Sequence, residues 1–193
     1  MRQPTHRPQP GVVLAMVAVA LIAALGTTTS ALAQEEQITT AVLPIPEAEQ
    51  ANATVLGYRN GELVTLREGT GRFVCLADDP DGEGFQVACY HQSLAAYMSR
   101  GRELRAQGVA GQESIARRWG EIEAGDLSFP SQPAALHQLF GESAEQLDSL
   151  KRLTVVYLSY ATTEDTGIPV SPGAGGPWLM FPGKPTAHVM IPG

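Results

Sequence analysis

Residues 73–90 have the sequence FVCLADDPDGEGFQVACY and contain both cysteines of the chain, Cys75 and Cys89. Two β-prone runs flank the turn-rich heptapeptide 78–84, a pattern typical of a β-hairpin with a longer loop. Residue 82 is midway between the cysteines, so a hairpin centred there places them directly opposite each other, within reach of a disulfide. The sequence therefore predicts a Cys75–Cys89 disulfide that braces an antiparallel pair of strands.

A second hairpin is predicted just upstream, where Asn60-Gly61 separates two β-prone runs. Asn-Gly at this position is the strongest short-range signal for a hairpin. Centred on this turn, Tyr58 faces Leu63 and Leu56 faces Thr65. We expect the two hairpins to form a four-stranded antiparallel meander over residues 53–90.

The N-terminus has the pattern of an export signal. Basic residues precede the apolar run GVVLAMVAVALIAAL (residues 11–25), and Ala31-Leu32-Ala33 follows. This order is typical of a secretory signal peptide, here residues 1–33, and the run is shorter than the ~20 residues of a membrane span. We expect the mature protein to be exported, to the periplasm or the extracellular space, and to begin with an extended, proline-containing arm over residues 34–52.

The charge balance excludes some partners. The chain has a net charge of −7, and because residues 1–33 hold two of the thirteen basic residues and none of the twenty acidic ones, the remainder has a net charge of −9. Such a chain is repelled by nucleic acid and by anionic membranes. No later segment is apolar enough to span a membrane. We therefore expect a soluble mature chain whose partner is an unknown small ligand or protein, and no nucleic acid.

Helical and extended patterns alternate in the remaining sequence. The predicted elements are a helix capped by Ser93 over residues 93–108, a helix over 112–124, a short helix over 133–140, a strand over 153–160, a loop over 161–176 and a hairpin over 177–191. Strands at both ends of a helical middle indicate an α+β class. We expect one domain over residues 53–193, in which an antiparallel sheet, made of the N-terminal meander and C-terminal strands, packs against two or three helices.

The sequence carries few signs of a particular chemistry. It has no HExxH, CxxC, GxSxG, phosphate-loop or SxxK motif. Three histidines follow the leader, namely His91, His137 and His188, on three separate predicted elements, so we predict no metal site and no cofactor. The acidic residues 78–83 are typical of a solvated turn and do not match the spacing of a calcium loop.

Aromatic and polarisable side chains concentrate near the C-terminus. The candidate ligand-binding residues there are Tyr157, Tyr160, Trp178, Met180 and His188. A cleft lined by such side chains beside a long loop would suit a ligand, although the same side chains are typical of a core.

Three functions are compatible with these features. The first is an exported, non-enzymatic domain that binds a ligand or a protein. The second is a small secreted hydrolase that uses His91, His188 and polar groups of the 161–176 loop, and the third is a structural envelope protein whose sheet edge pairs with a partner.

Overall fold

Eight strands form one sheet in the computed structural model, which describes residues 33–173 and 175–193. The predicted signal peptide therefore lies, apart from Ala33, outside the described residues. The strands are β1 (Thr54–Arg59), β2 (Glu62–Arg67), β3 (Phe73–Leu76), β4 (Phe85–His91), β5 (Ala134–Gly141), β6 (Lys151–Tyr157), β7 (Trp178–Met180) and β8 (His188–Pro192). Their order across the sheet is β2-β1-β3-β4-β5-β6-β8-β7. The predicted α+β class is confirmed.

The predicted hairpin at Asn60-Gly61 is confirmed in its register. Tyr58 pairs with Leu63 and Leu56 pairs with Thr65. Asn60 has a φ of 55° and Gly61 has a φ of 80°, the two positive angles that a type I′ turn requires. This turn matches the twist of the strands, which is why the dipeptide predicts the register so well.

The predicted disulfide is also present. Cys75 and Cys89 are direct partners in the antiparallel pairing of β3 with β4, and their sulfur atoms are 2.06 Å apart. Both cysteines are completely buried. The bridge therefore ties together two neighbouring strands in the middle of the sheet.

The predicted meander, by contrast, is wrong in one connection. β3 pairs with β1 in a parallel arrangement, so β2 is left at the edge of the sheet. The chain crosses the start of β1 through Gly69 and Gly71, where an added Cβ would lie only 2.3 and 2.8 Å from the carbonyl oxygen of Asn52. Because glycine lacks that atom, the chain can pass so close to the neighbouring backbone.

The two longer helices lie close to the predicted positions. They are α3 (Ala95–Ala106) and α4 (Gly111–Ala124), and Gly125 ends the second with a φ of 83°. A 3₁₀ turn, Gln92–Leu94, precedes α3, and the cap of this turn is His91 rather than Ser93. The ring nitrogen Nδ1 of His91 accepts a hydrogen bond from the backbone N–H of Ser93.

The short helix predicted over residues 133–140 is wrong, because these residues form β5. This strand pairs with β4 on one side and with β6 on the other, in antiparallel register along most of its length. Alanine, leucine and glutamine favour a helix in isolation. Here the hydrogen bonds to two neighbouring strands outweigh that weak local preference.

The segment predicted as an extended arm is instead partly helical and packed. Residues 33–41 are helical (α1), and Glu47–Gln50 form a short second helix (α2). Ala41, Val42 and Ile45 are buried in a cluster that includes Phe73 and both cysteines. Gln37–Gly193 form one compact unit, so part of the predicted arm belongs to the domain.

The sheet is covered on both faces. Val74, Tyr90 and Leu136 lie on what we call the helix face, where they pack against residues of α3 and α4. Cys75, Cys89 and Phe73 lie on the opposite face, which we call the cystine face, against residues 38–45. In the described part of the chain, no helix is long and apolar enough to cross a membrane.

The C-terminal part completes the sheet. The predicted final hairpin is present as β7 and β8, with Met180 opposite His188. The predicted strand before the loop is β6, and its last residue is Tyr157 rather than residue 160. The loop 161–176 contains one helical turn, α5 (Thr163–Thr166), which Thr162 and Asp165 cap reciprocally.

Candidate functional site

Two of the residues proposed from the sequence, Tyr157 and His188, pack against each other and against neighbouring aromatic rings. The Tyr157 ring lies 5.0 Å from the His188 ring and 6.0 Å from the Tyr97 ring, measured between centroids. Tyr157 is buried and Trp178 and Met180 are half-buried, whereas Tyr160 is 50% exposed. Four of the five proposed residues are therefore partly or fully inside the domain, and Tyr160 stands apart on the surface.

The histidines are engaged locally. Nδ1 of His188 donates to the carbonyl oxygen of Thr186 at 2.8 Å, and burial lowers the pKa of His188. His137 contacts the hydroxyl of Thr154 and His91 contacts the hydroxyl of Ser93. Among residues 33–173 and 175–193, no histidine pairs with a carboxylate, and no group of three His, Cys, Asp or Glu side chains could hold a metal ion.

A cleft of about 560 Å³ lies elsewhere, between the helix face of the sheet and the pair α3 and α4. Its floor comes from four strands, β1, β3, β4 and β5, and its roof from the two helices, together with residues 109–110 between them. None of the five aromatic-region residues proposed from the sequence lines this cleft. A cavity of this size falls within the roughly 300–1,000 Å³ typical of sites for small ligands.

The cleft has an apolar interior. Its larger apolar side chains are Leu76, Tyr90, Met98, Val109, Ile115 and Leu136, and it is also lined by Ala77, Ala88 and Ala110. Ala88 is a small residue between the larger Leu76 and Gln138 of the neighbouring strands, which leaves space above the middle of the sheet. These side chains provide a surface against which the apolar part of a ligand can pack.

One wall of the cleft is cationic. Arg102 and Arg105 stand three residues apart on α3, and neither guanidinium forms a hydrogen bond or an ion pair with any described residue. By contrast, Arg100 on the same helix pairs with Glu121 at 2.6 Å. Arg102 is half-buried and Arg105 is exposed, so both can reach a ligand at the mouth.

A third arginine is fixed in the wall. The guanidinium of Arg118 lies 4.1 Å from the centre of the Tyr97 ring, and its Nε donates to the carbonyl oxygen of Ser114. Arg118 joins the two helices and is half-buried, because a long arginine stem can cover an aromatic ring.

The facing wall is acidic. Two of its carboxylates accept hydrogen bonds from backbone N–H groups of the same hairpin. One oxygen of Asp78 accepts from the backbone N–H of Gln86 at 2.8 Å, and one oxygen of Asp79 accepts from that of Asp81 at 3.1 Å. Tyr58 lies beside them, and burial together with the charge of Asp79 raises its pKa to about 12. Tyr58 therefore remains a neutral phenol at the mouth of the cleft.

Sequence reasoning missed this cleft because no single segment contains it. Its lining comes from β1, β3, the loop between β3 and β4, β4, β5, α3 and α4. One local signal was available: Arg102 and Arg105 are three residues apart on a predicted helix and therefore share one of its faces. The distance between α3 and the hairpin loop, however, depends on tertiary packing.

Comparisons with known proteins give no further guide to function. No protein-family model, curated protein or solved structure shows significant similarity to this chain.

Proposed function

We propose that this protein is an exported, non-enzymatic binding protein that holds a small ligand in the cleft between the helix face and the helices. The observation that carries the proposal is the cleft itself, about 560 Å³ with an apolar floor and two walls of opposite charge. An apolar pocket with a few converging polar groups is the usual form of a ligand site. The ligand class that fits it is a small amphipathic molecule.

Binding is favoured over hydrolysis by the chemistry of the lining. The cleft contains the hydroxyl-bearing residues Tyr58, Tyr90 and Ser114 but no histidine. The pKa of Tyr58 is raised to about 12, so its phenol is a poor general base near neutral pH. The lining carboxylates Asp78 and Asp79 accept hydrogen bonds from backbone N–H groups of the hairpin, so recognition rather than bond cleavage is the function that this lining supports.

Export is the second part of the proposal. It is supported by the signal-peptide pattern of residues 1–33 and by a disulfide, which persists in oxidising compartments. Both features are expected of a periplasmic or extracellular binding protein.

The cleft is tested by filling it. We expect Ala88→Phe to weaken binding of the uncharged fluorophore N-phenyl-1-naphthylamine at least about tenfold, because the added ring occupies the apolar floor that the probe requires. The measurement is a fluorescence titration of the purified chain.

The matched control is Ala116→Phe, the same substitution at an exposed position of α4 outside the cleft. We expect this variant to bind the probe like the unmodified protein. Thermal melts of both variants would show that each is folded. The proposal is wrong if the unmodified protein does not bind the probe, or if the folded Ala88→Phe variant binds it equally well.

A further inference from the structure

We infer that the ligand of the cleft carries an anionic group, a carboxylate, phosphate or sulfonate, that Arg102 and Arg105 bind at the mouth. This inference rests on the proposed function and adds the chemical class of the ligand. It is based on which charged side chains around the cleft have hydrogen-bond or ion-pair partners within the protein and which do not.

The two arginines are the cationic groups of the cleft that remain available. Arg118 is committed to the Tyr97 ring and to the carbonyl oxygen of Ser114. Arg102 and Arg105 have no such partner among the described residues, although the chain is acidic overall and Arg100 nearby is paired with Glu103 and Glu121. Two free guanidiniums on one helix face are suited to bind an anion between them.

The acids of the cleft are arranged differently. Asp78 accepts a hydrogen bond from the backbone N–H of Gln86 at the start of β4, and Asp79 accepts one from that of Asp81 in the turn, so both carboxylates stabilise the hairpin. Glu83 adds an exposed carboxylate on the same side. This side repels an anion, so it directs the charged end of the ligand toward α3 and leaves the apolar body on the floor.

The geometry therefore fits a molecule with one apolar end and one anionic end. A guanidinium binds carboxylate, phosphate or sulfonate oxygens through two parallel N–H donors, and such charge-assisted hydrogen bonds are stronger than neutral ones. Leu76, Ala88 and Leu136 supply the surface for the other end.

Two fluorophores separate the contributions of charge and apolar surface. 8-Anilinonaphthalene-1-sulfonate has the ring system of N-phenyl-1-naphthylamine with an added sulfonate. We expect the sulfonate probe to bind the unmodified protein at least about tenfold more tightly than the uncharged probe, because it adds charge-assisted hydrogen bonds. Added salt should reduce this advantage, while the affinity for the uncharged probe changes little.

The double variant Arg102→Gln/Arg105→Gln should lose the preference for the sulfonate and keep its affinity for the uncharged probe. The control, Arg117→Gln/Lys151→Gln, removes the same charge at positions outside the cleft and should retain the preference. Equal binding of both probes by the unmodified protein, or a preference that survives in the Arg102/Arg105 variant, would overturn the inference and leave the cleft proposal intact. Failure of the uncharged probe to bind the unmodified protein would instead refute the proposed function.

Discussion

Val42→Asp is expected to lower the free energy of unfolding by roughly 3–5 kcal/mol, because it places an unpaired charge in the apolar core. Val42 is 5% exposed and belongs to the cluster that also holds Phe73 and both cysteines on the cystine face. If residues 34–52 were a solvated arm, this substitution would be harmless. Urea denaturation followed by circular dichroism measures the difference.

The control for this variant is Thr39→Asp, which adds the same charge at an exposed position of α1. We expect its unfolding midpoint to differ little from that of the unmodified protein. Burial raises the pKa of a carboxyl, so the deficit of Val42→Asp should be smaller at pH 4, where the side chain takes up a proton, than at pH 7. A deficit below about 0.5 kcal/mol at pH 7, the range of ordinary surface substitutions, would show that the segment is not part of the core.

Replacing both cysteines with alanine is expected to lower the free energy of unfolding by about 3 kcal/mol. The bridge closes a short loop, since the cysteines are 14 residues apart in sequence, and in the chain-entropy model a loop of about 15 residues contributes this much. Alanine is the suitable replacement because serine would add a buried hydroxyl to a fully buried site. The measurement is a urea unfolding curve without reductant.

The unmodified protein in the presence of reductant is a control, because reduction removes the disulfide without changing the sequence. The bridge is fully buried, and Cys89 Sγ lies 3.2 Å from the carbonyl oxygen of Ala41, so we expect reductant to act mainly once the chain unfolds. After unfolding in reductant, the unmodified protein should show a midpoint close to that of the double alanine variant. An unchanged midpoint in the double alanine variant would contradict the assigned role of the disulfide.

Features set by neighbouring residues could be predicted from the sequence. The register of the first hairpin follows from the Asn60-Gly61 turn, and the pairing of Cys75 with Cys89 follows from their equal distance from residue 82. The end of α4 is likewise marked by Gly125. In each case the backbone angles or spacing of a short segment determine the outcome.

Features set by distant residues could not be predicted in this way. β5 has a local preference for helix, and only its pairing with β4 and β6 makes it a strand. The parallel pairing of β1 with β3 depends on the close passage of Gly69 and Gly71. The N-terminal segment is core because the cystine face would otherwise be uncovered, and no local pattern reveals that requirement.

The candidate site illustrates the same limit. Side-chain type alone drew attention to Tyr157, Trp178 and His188, whose rings and apolar surface are partly used in packing. The cleft combines a small residue, Ala88, with two arginines of a different element, and their proximity exists only in the folded chain. Binding in the C-terminal aromatic region and binding in the cleft therefore predict contacts between the ligand and different residues.

The most direct test of the central claim is to locate the bound ligand by NMR. In a titration of the ¹⁵N-labelled protein with 8-anilinonaphthalene-1-sulfonate, we expect the largest amide shifts at Gly82, Gly101 and Gly111, which line the cleft. The indole N–H of Trp178, outside the cleft, should hardly move. Shifts concentrated at Tyr160, Trp178 and His188, with the cleft glycines unchanged, would contradict the claim that the cleft is the binding site.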